Sequence, residues 1–510
     1  MDGTVFTRSL TMQGLAMRYN GGMPTRAIMI QGTGSGVGKS WLATGLCRLY
    51  ARRGIRVAPF KAQNMANNAA VVAGGEIGRA QAVQAAAAGI VATVDMNPLL
   101  VKPITHTGAQ LVVLGKSVGI QDARDYSRDN SALWNIVTAA YTRLAAEYDL
   151  IVIEGAGSPA EFNLRDRDLV NMRMAAYADA PVLIAGDIDK GGVFASFLGT
   201  WHLCTPDERE RIAGWVINRF RGDERYLEPA PTDFGRMTGI PVRGVIPMRR
   251  DIVIDREDDP SDVRGGSGLI DIAVLRFATV SNFTDMELLA AMPGVGFRWV
   301  HRHEDLGNPD LLVLPGSKDT LGDLRRLRAA GLDRGVEAAA ARHIPILGLC
   351  GGYQMLGRRI HDETGHGGTA AVEAGLGLLP VDTVFVGVKR TAARSGQTRA
   401  GWLLPAGLPV SGYEIHQGRT VASESPLIDL SSGADDAAGP DGAIAGNIAG
   451  TYLHGLLDSA AVRTALVNAL RARKGFDALD MPLEDADAFR ARNVDALADL
   501  LEERLDLSGL

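Results

Sequence analysis

Ala27-Ile28-Met29-Ile30, then Gly32-Thr33-Gly34-Ser35-Gly36-Val37-Gly38-Lys39-Ser40, then a helical run from Trp41 to Arg52, form an apolar strand, a glycine-rich loop and a helix, in that order. This is the context a P-loop needs, and it fixes the first half of the chain as an α/β fold. The glycines, Gly34, Gly36 and Gly38 among them, let successive backbone N–H groups converge on phosphate oxygens, and the helix N-terminus adds positive potential. Lys39 is expected to reach the terminal phosphates and the Ser40 hydroxyl to ligate Mg²⁺. Five residues rather than four separate Gly32 from Gly38, so the usual spacing is missed by one, although Gly38-Lys39-Ser40 is intact.

A second signal lies three hundred residues on. Pro345-Ile346-Leu347-Gly348-Leu349 reads as a strand, Cys350-Gly351-Gly352 as a sharp turn and Tyr353 to Ile360 as a helix. Small residues around a cysteine let the nucleophile sit on a strained strand-to-helix elbow, with the following N–H free to stabilise an oxyanion. Cys350 is the expected nucleophile and Gly351 an oxyanion donor. Cys47 and Cys204 read as inert core residues.

With 510 residues the chain is too long for one ordinary domain. Its 53 basic and 59 acidic residues leave a net charge of -6, which gives no electrostatic footprint for nucleic acid or an anionic membrane. Three scattered cysteines build neither a disulfide framework nor a zinc site, and no apolar run approaches a membrane span, so a cytoplasmic protein acting on small molecules is expected. Oligomeric state is not legible. Residues 1–25 read as an extension and 26–250 as the P-loop domain, with strands at 57–60, 150–153, 181–184 and 215–217 and a helix from Ala80 to Ala92. Residues 251–268, charged and then Gly-rich, read as a linker. A second alternating series, with strands at 270–275 and 311–314, fills 269–510 and ends in a helical extension from Ala460 to Leu505, expected to pack on that second domain. Short apolar strands with helical crossovers predict two successive three-layer domains with parallel sheets.

Other residues fall where ligands bind in such sheets. Glu154 ends the 150–153 strand and is placed to hold Mg²⁺ directly or through water, and Asp187 has the same setting. Lys61, ahead of Gln63-Asn64-Met65, is a cation for phosphate charge. The polar run Asn163, Arg165, Asp166, Arg167 and Asp168 is a substrate-side candidate. In the second domain Leu314-Pro315-Gly316-Ser317-Lys318 puts a turn glycine where its N–H would complete the oxyanion hole with Gly351. A thiol nucleophile also needs a base; Gly450-Thr451-Tyr452-Leu453-His454-Gly455 offers one, although spacing alone does not choose among nine histidines.

Taken together, these motifs resemble the cobyric acid synthase family of cobalamin-pathway glutamine amidotransferases over nearly the whole chain. Its marks are Pro59-Phe60-Lys61-Ala62-Gln63-Asn64-Met65, Gly75-Glu76-Ile77-Gly78-Arg79-Ala80-Gln81, Glu154-Gly155-Ala156-Gly157-Ser158-Pro159-Ala160-Glu161, Asp189-Lys190-Gly191-Gly192-Val193-Phe194 and Gly412-Tyr413-Glu414-Ile415-His416. The first domain is similar to dethiobiotin synthetase-like ATPases, which share the longer P-loop, and the second to class I glutamine amidotransferases. The resemblance implies ATP and Mg²⁺ as cofactors, Asn218 as an adenine contact, Cys350 and His454 as the glutaminase pair and Gln354 as a glutamine contact. It implies ATP- and glutamine-dependent amidation of the b, d, e and g carboxylates of adenosylcobyrinic acid a,c-diamide to cobyric acid. Cobyrinic acid a,c-diamide synthase, or a partition-type regulatory ATPase carrying an inert amidotransferase-like domain, are the alternatives. Many related amidotransferases have a glutamate two residues after the histidine; Leu456 stands there instead, so another group must orient His454.

Overall fold

A computed structural model describes residues 25–103, 108–122, 130–255, 268–363, 371–420, 424–432, 438–480 and 483–510. The expected N-terminal extension and the centre of the expected linker lie outside them. The first domain is a six-stranded parallel sheet in the order 242–247, 212–220, 182–187, 26–32, 150–154 and 57–60. Apart from Arg26, its three central strands are buried throughout, as expected for a parallel sheet covered by helices on both faces. The P-loop strand lies mid-sheet between the strands that end in Glu154 and Asp187, so all three chain ends meet at one edge. A four-stranded satellite sheet, ordered 63–65, 99–103, 108–113 and 116–122, flanks that edge.

In the second domain the sheet order is 295–300, 270–275, 311–314, 346–349 and 448–451, all parallel, with 443–445 antiparallel at the edge. The strand leading to Cys350 pairs with the one leading to His454, which brings these distant residues to one sheet edge. Outside this layer, the long strands Asp382–Thr398 and Pro409–Thr420 form an antiparallel pair that the sequence reading did not foresee. Among the described residues no helix is long and apolar enough to cross a membrane.

Four expectations need correction. The Ala80–Ala92 helix runs from Arg79 to Ala87, stopped at Gly89, which adopts the left-handed conformation at φ 72°. The elbow helix spans only Gly351–Leu356, because Arg359–Asp362 pairs as a strand with residues 382–385. The head of the expected linker is packed: Ile252 is buried in the first-domain core, and Val253 N donates to Asn493 Oδ1 at 2.8 Å. Finally, the C-terminal extension divides. Ala460–Arg473 lies on the second domain, whereas Ala486–Arg504 crosses back onto the P-loop helix Lys39–Arg52. There Leu497 and Leu501 bury themselves over Gly45, where an added Cβ would come within 2.5 Å of Leu501 Cδ1, and Arg48 grips Asp495 through two bonds of 2.7 and 3.0 Å.

Candidate active sites

At the first sheet edge the P-loop is held open from below. Gly38 sits at φ 99°, a conformation that disfavours any Cβ, and one built there would lie 2.2 Å from Asn218 Nδ2. Asn218 donates to Val37 O at 2.8 Å and accepts from Arg219 N at 2.9 Å, so its amide braces the loop itself. Lys39 Nζ bonds Gly34 O at 2.8 Å and Gly157 O at 3.0 Å, folded over the loop at the place where a terminal phosphate would sit.

Glu154 is the hub of this edge. Its Oε1 accepts from Ser40 Oγ at 2.7 Å and Lys61 Nζ at 2.8 Å, and its Oε2 from Gln84 Nε2 at 2.6 Å and Gln81 Nε2 at 3.4 Å. Burial pushes the Glu154 carboxyl upward, but the Lys61 charge and the bonds from Lys61, Ser40 and Gln84 outweigh it and hold the carboxyl below its ordinary range. A buried carboxylate is thereby kept ionised beside the loop. Asp187 instead accepts from Arg219 Nη1 at 2.8 Å and Asp189 N at 3.0 Å. Asp168 caps its own loop by accepting from Val170 N, Asn171 N and Arg173 N. The whole edge opens into a cavity of about 1920 Å³, whose wall includes Arg165 and Arg167 and, from the second domain, Glu287, Ala290 and Ala291.

The second centre is the elbow. Cys350 adopts φ 49° and ψ -105°, a strained backbone for a residue with a side chain, of the kind that persists where the surroundings over-determine it. They do so here through Cys350 N to Thr451 O at 2.9 Å, Gly352 N to Pro315 O at 3.1 Å and Gln354 N to Cys350 O at 3.0 Å. The thiol itself lies 3.8 Å from Ile415 O. Gly351 packs on the turn after residue 314 so closely that a Cβ there would fall 2.7 Å from Ser317 N, while a Cβ on Gly316 would meet His454 Cε1 at 3.1 Å. Gly316, Gly351, Cys350 and His454 therefore converge, as the sequence suggests. Gln354 is buried beside them, accepting from Thr320 Oγ1 at 3.0 Å and donating to Tyr452 OH at 3.1 Å.

Asp285 orients His454, and the sequence reading missed it. Its Oδ2 lies 3.4 Å from His454 Nδ1, while its Oδ1 accepts from Gly455 N at 2.8 Å, so one carboxylate fixes both the ring and the backbone beside it. Tyr413 stacks on the ring at 5.3 Å and exchanges two 2.9 Å backbone bonds with His454. Burial lowers the His454 pKa, but the bond to Asp285 and the neighbouring Cys350 sulfur more than reverse this and push it up to about 9. Nε2 is buried and has no hydrogen-bond partner of ordinary geometry among the described residues. Asp285 belongs to Thr284–Ala290, a helix with no sequence signature and 169 residues from His454.

Residues 28–260 match the family model described as the CobQ/CobB/MinD/ParA nucleotide binding domain, and residues 271–462 that of the CobB/CobQ-like glutamine amidotransferase domain. The cobyric acid synthase of Desulforudis audaxviator is 47% identical over 496 residues, covering 96% of this chain and 99% of its own. The chain belongs to the cobyric acid synthase family. Cobyric acid synthases of Moorella thermoacetica, 46% identical across 95% of this chain and 96% of theirs, and of Sorangium cellulosum, 45% identical across 95% and 98%, agree over the same span. Membership of the cobyric acid synthase family covers both domains at once, the nucleotide-binding half and the amidotransferase half.

Proposed function

We propose that this chain uses ATP and glutamine to amidate the b, d, e and g carboxylates of adenosylcobyrinic acid a,c-diamide, giving cobyric acid. The observation that carries this reading is a strained, histidine-paired cysteine in one domain and, in the other, a P-loop with an ionised acid beside it on a cavity of about 1920 Å³. That volume exceeds the roughly 300–1,000 Å³ usual for a single small ligand, so it suits a nucleotide and a macrocycle together. All three relatives are cobyric acid synthases, which favours this product over the a,c-diamide.

In this reading Cys350 passes its thiol proton to His454 and attacks the glutamine side-chain carbonyl as the thiolate, and the N–H groups of Gly351 and the Gly316 turn receive the oxyanion. His454, held by Asp285, gives its proton to the departing ammonia, leaving a thioester that water hydrolyses to glutamate. In the first domain the terminal phosphoryl group of ATP passes to a substrate carboxylate, because carboxylate oxygen leaves poorly and an acyl phosphate does not share that defect. Ammonia then displaces phosphate and forms the amide. Lys39 and Lys61 balance the phosphate charge. Ser40 Oγ and Glu154 Oε1, 2.7 Å apart, are oxygen donors of the kind that fits Mg²⁺. No group of three or more His, Cys, Asp or Glu among the described residues encloses a metal, so phosphate and water would complete its shell. The ion, when bound, would neutralise charge on the transferring phosphoryl group. Three unpaired cysteines suit a reducing cytoplasm.

Mass spectrometry of corrinoid products after incubation with ATP, Mg²⁺ and glutamine tests the proposal. Conversion of four carboxylates of the a,c-diamide to amides is expected; an a,c-diamide left unchanged while cobyrinic acid gains two amides would assign the chain to the earlier synthase.

A further inference from the structure

Gly75-Glu76-Ile77-Gly78-Arg79-Ala80-Gln81 supplies none of the reacting groups above, yet it lies where the two domains meet. Its helix, Arg79–Ala87, bears on the nucleotide centre, where Gln81 and Gln84 both donate to Glu154 Oε2. The first residue of that helix reaches into the other domain. Arg79, whose side chain is only 13% exposed, donates from Nη2 to Thr284 Oγ1 at 3.0 Å, with Asp255 Oδ2 3.4 Å from the same nitrogen. Its guanidinium carbon lies 5.7 Å from the centre of the Tyr413 ring, within cation–π range.

Both partners are supports of His454. Thr284 opens the helix whose next residue, Asp285, holds His454 Nδ1 and Gly455 N. Tyr413 stacks on the His454 ring and pairs with its backbone. One guanidinium from the first domain thus braces the histidine from two sides. Glu76, three residues earlier, takes Lys389 of the second domain at 2.5 Å, and Asn282 N donates to Asn68 Oδ1, also at 2.5 Å, so the chain leading into the helix is tied to the second domain at two further points. From Arg79 to Gln84 is five residues, about 7.5 Å of helix axis, and over that distance one rigid element contacts the acid of one centre and the histidine supports of the other.

We propose that Arg79 is a positioning residue of the glutaminase centre, supplied by the synthetase domain, which holds Thr284-Asp285 and Tyr413 in the arrangement that keeps His454 aimed at Cys350. The proposal rests on the two-site reading above. A cysteine–histidine pair that depends on a residue from the neighbouring domain makes ammonia only while that domain is docked in this geometry, and the docked helix is the one that also holds Glu154.

The test uses the full chain and measures glutamate release from glutamine beside amidation supported by ammonium. For Arg79→Met, glutamine kcat should fall about tenfold or more, with the glutamine KM within about threefold and ammonium-supported amidation within about twofold. Arg79→Lys, which keeps the charge without the planar fork, should recover part of the loss. Thr284→Val removes the same bond from the other side and guards against misfolding of the arginine variant; a loss of about fivefold in the same kcat is expected. Equal losses with glutamine and with ammonium, or wild-type glutamine hydrolysis in both Arg79→Met and Thr284→Val, would overturn the proposal. Wild-type protein yielding neither glutamate nor amide would instead overturn the two-site reading, and this inference with it.

Discussion

Replacing Asp285 by asparagine should disable the glutaminase while leaving its backbone in place. The new amide can still accept from Gly455 N, which Asp285 Oδ1 now does at 2.8 Å, but the charged partner at His454 Nδ1 is lost. A charge-assisted bond contributes about 1.5–3 kcal/mol, or about 10- to 150-fold in rate. The 3.4 Å separation places this one near the weak end, so kcat for glutamine should fall about 10- to 30-fold. The pH profile supplies an independent sign. With its pKa pushed up to about 9, His454 is protonated at neutral pH, and wild-type glutaminase should decline as pH rises through about 9, where the proton for ammonia is lost. Without the Asp285 charge the His454 pKa drops, and this alkaline limb moves to lower pH. The raised pKa also stabilises the fold; that contribution is complete below the unfolded histidine value of about 6.5 and disappears as pH rises through about 9. Steady-state glutamate release from pH 6 to 10 gives both readouts, with ammonium-supported amidation as the control. A kcat within about twofold of wild type and an unmoved alkaline limb would refute the assignment of Asp285.

Cys350→Ala should abolish glutamine-supported synthesis and leave synthesis from ammonium at high pH; loss of both in a folded variant would give the thiol a role outside ammonia production. Lys39→Ala and Glu154→Ala should each slow amidation from either nitrogen source by about 10²–10³, and a change under tenfold in initial rate would remove that residue from phosphoryl transfer. Leu501→Ala, at a fully buried position over Gly45, should cost about 2–5 kcal/mol in the denaturant-induced unfolding of the first domain, and a loss under about 1 kcal/mol would mean the last helix does not seal that face.

The parts of the fold legible in the sequence were those in which local chemistry and chain order coincide. The strand, glycine loop and helix around Lys39 need no distant partner to be recognised, nor does the elbow at Cys350, and an acid ending an apolar strand marks Glu154. Asp285 was not legible because its role arises only when the first turn of the helix Thr284–Ala290 is brought against a histidine 169 residues later. The last helix shows the same limit: spacing identifies Leu497 and Leu501 as a buried face without saying which domain buries it, and Gly45 on the P-loop helix decides that. Asn218 lies beside the P-loop and Gln354 beside the elbow, but the hydrogen bonds that occupy their amides involve Val37, Thr320 and Tyr452, which only the fold assembles.

The central claim, that ATP activates a substrate carboxylate beside Ser40 and Glu154, is tested most directly by isotope transfer. Corrinoid substrate labelled with ¹⁸O in its carboxylates, incubated with ATP, Mg²⁺ and glutamine, should pass one ¹⁸O atom into inorganic phosphate for every amide formed. Normal amidation with unlabelled phosphate would contradict the acyl phosphate and recast the P-loop domain as a motor or switch.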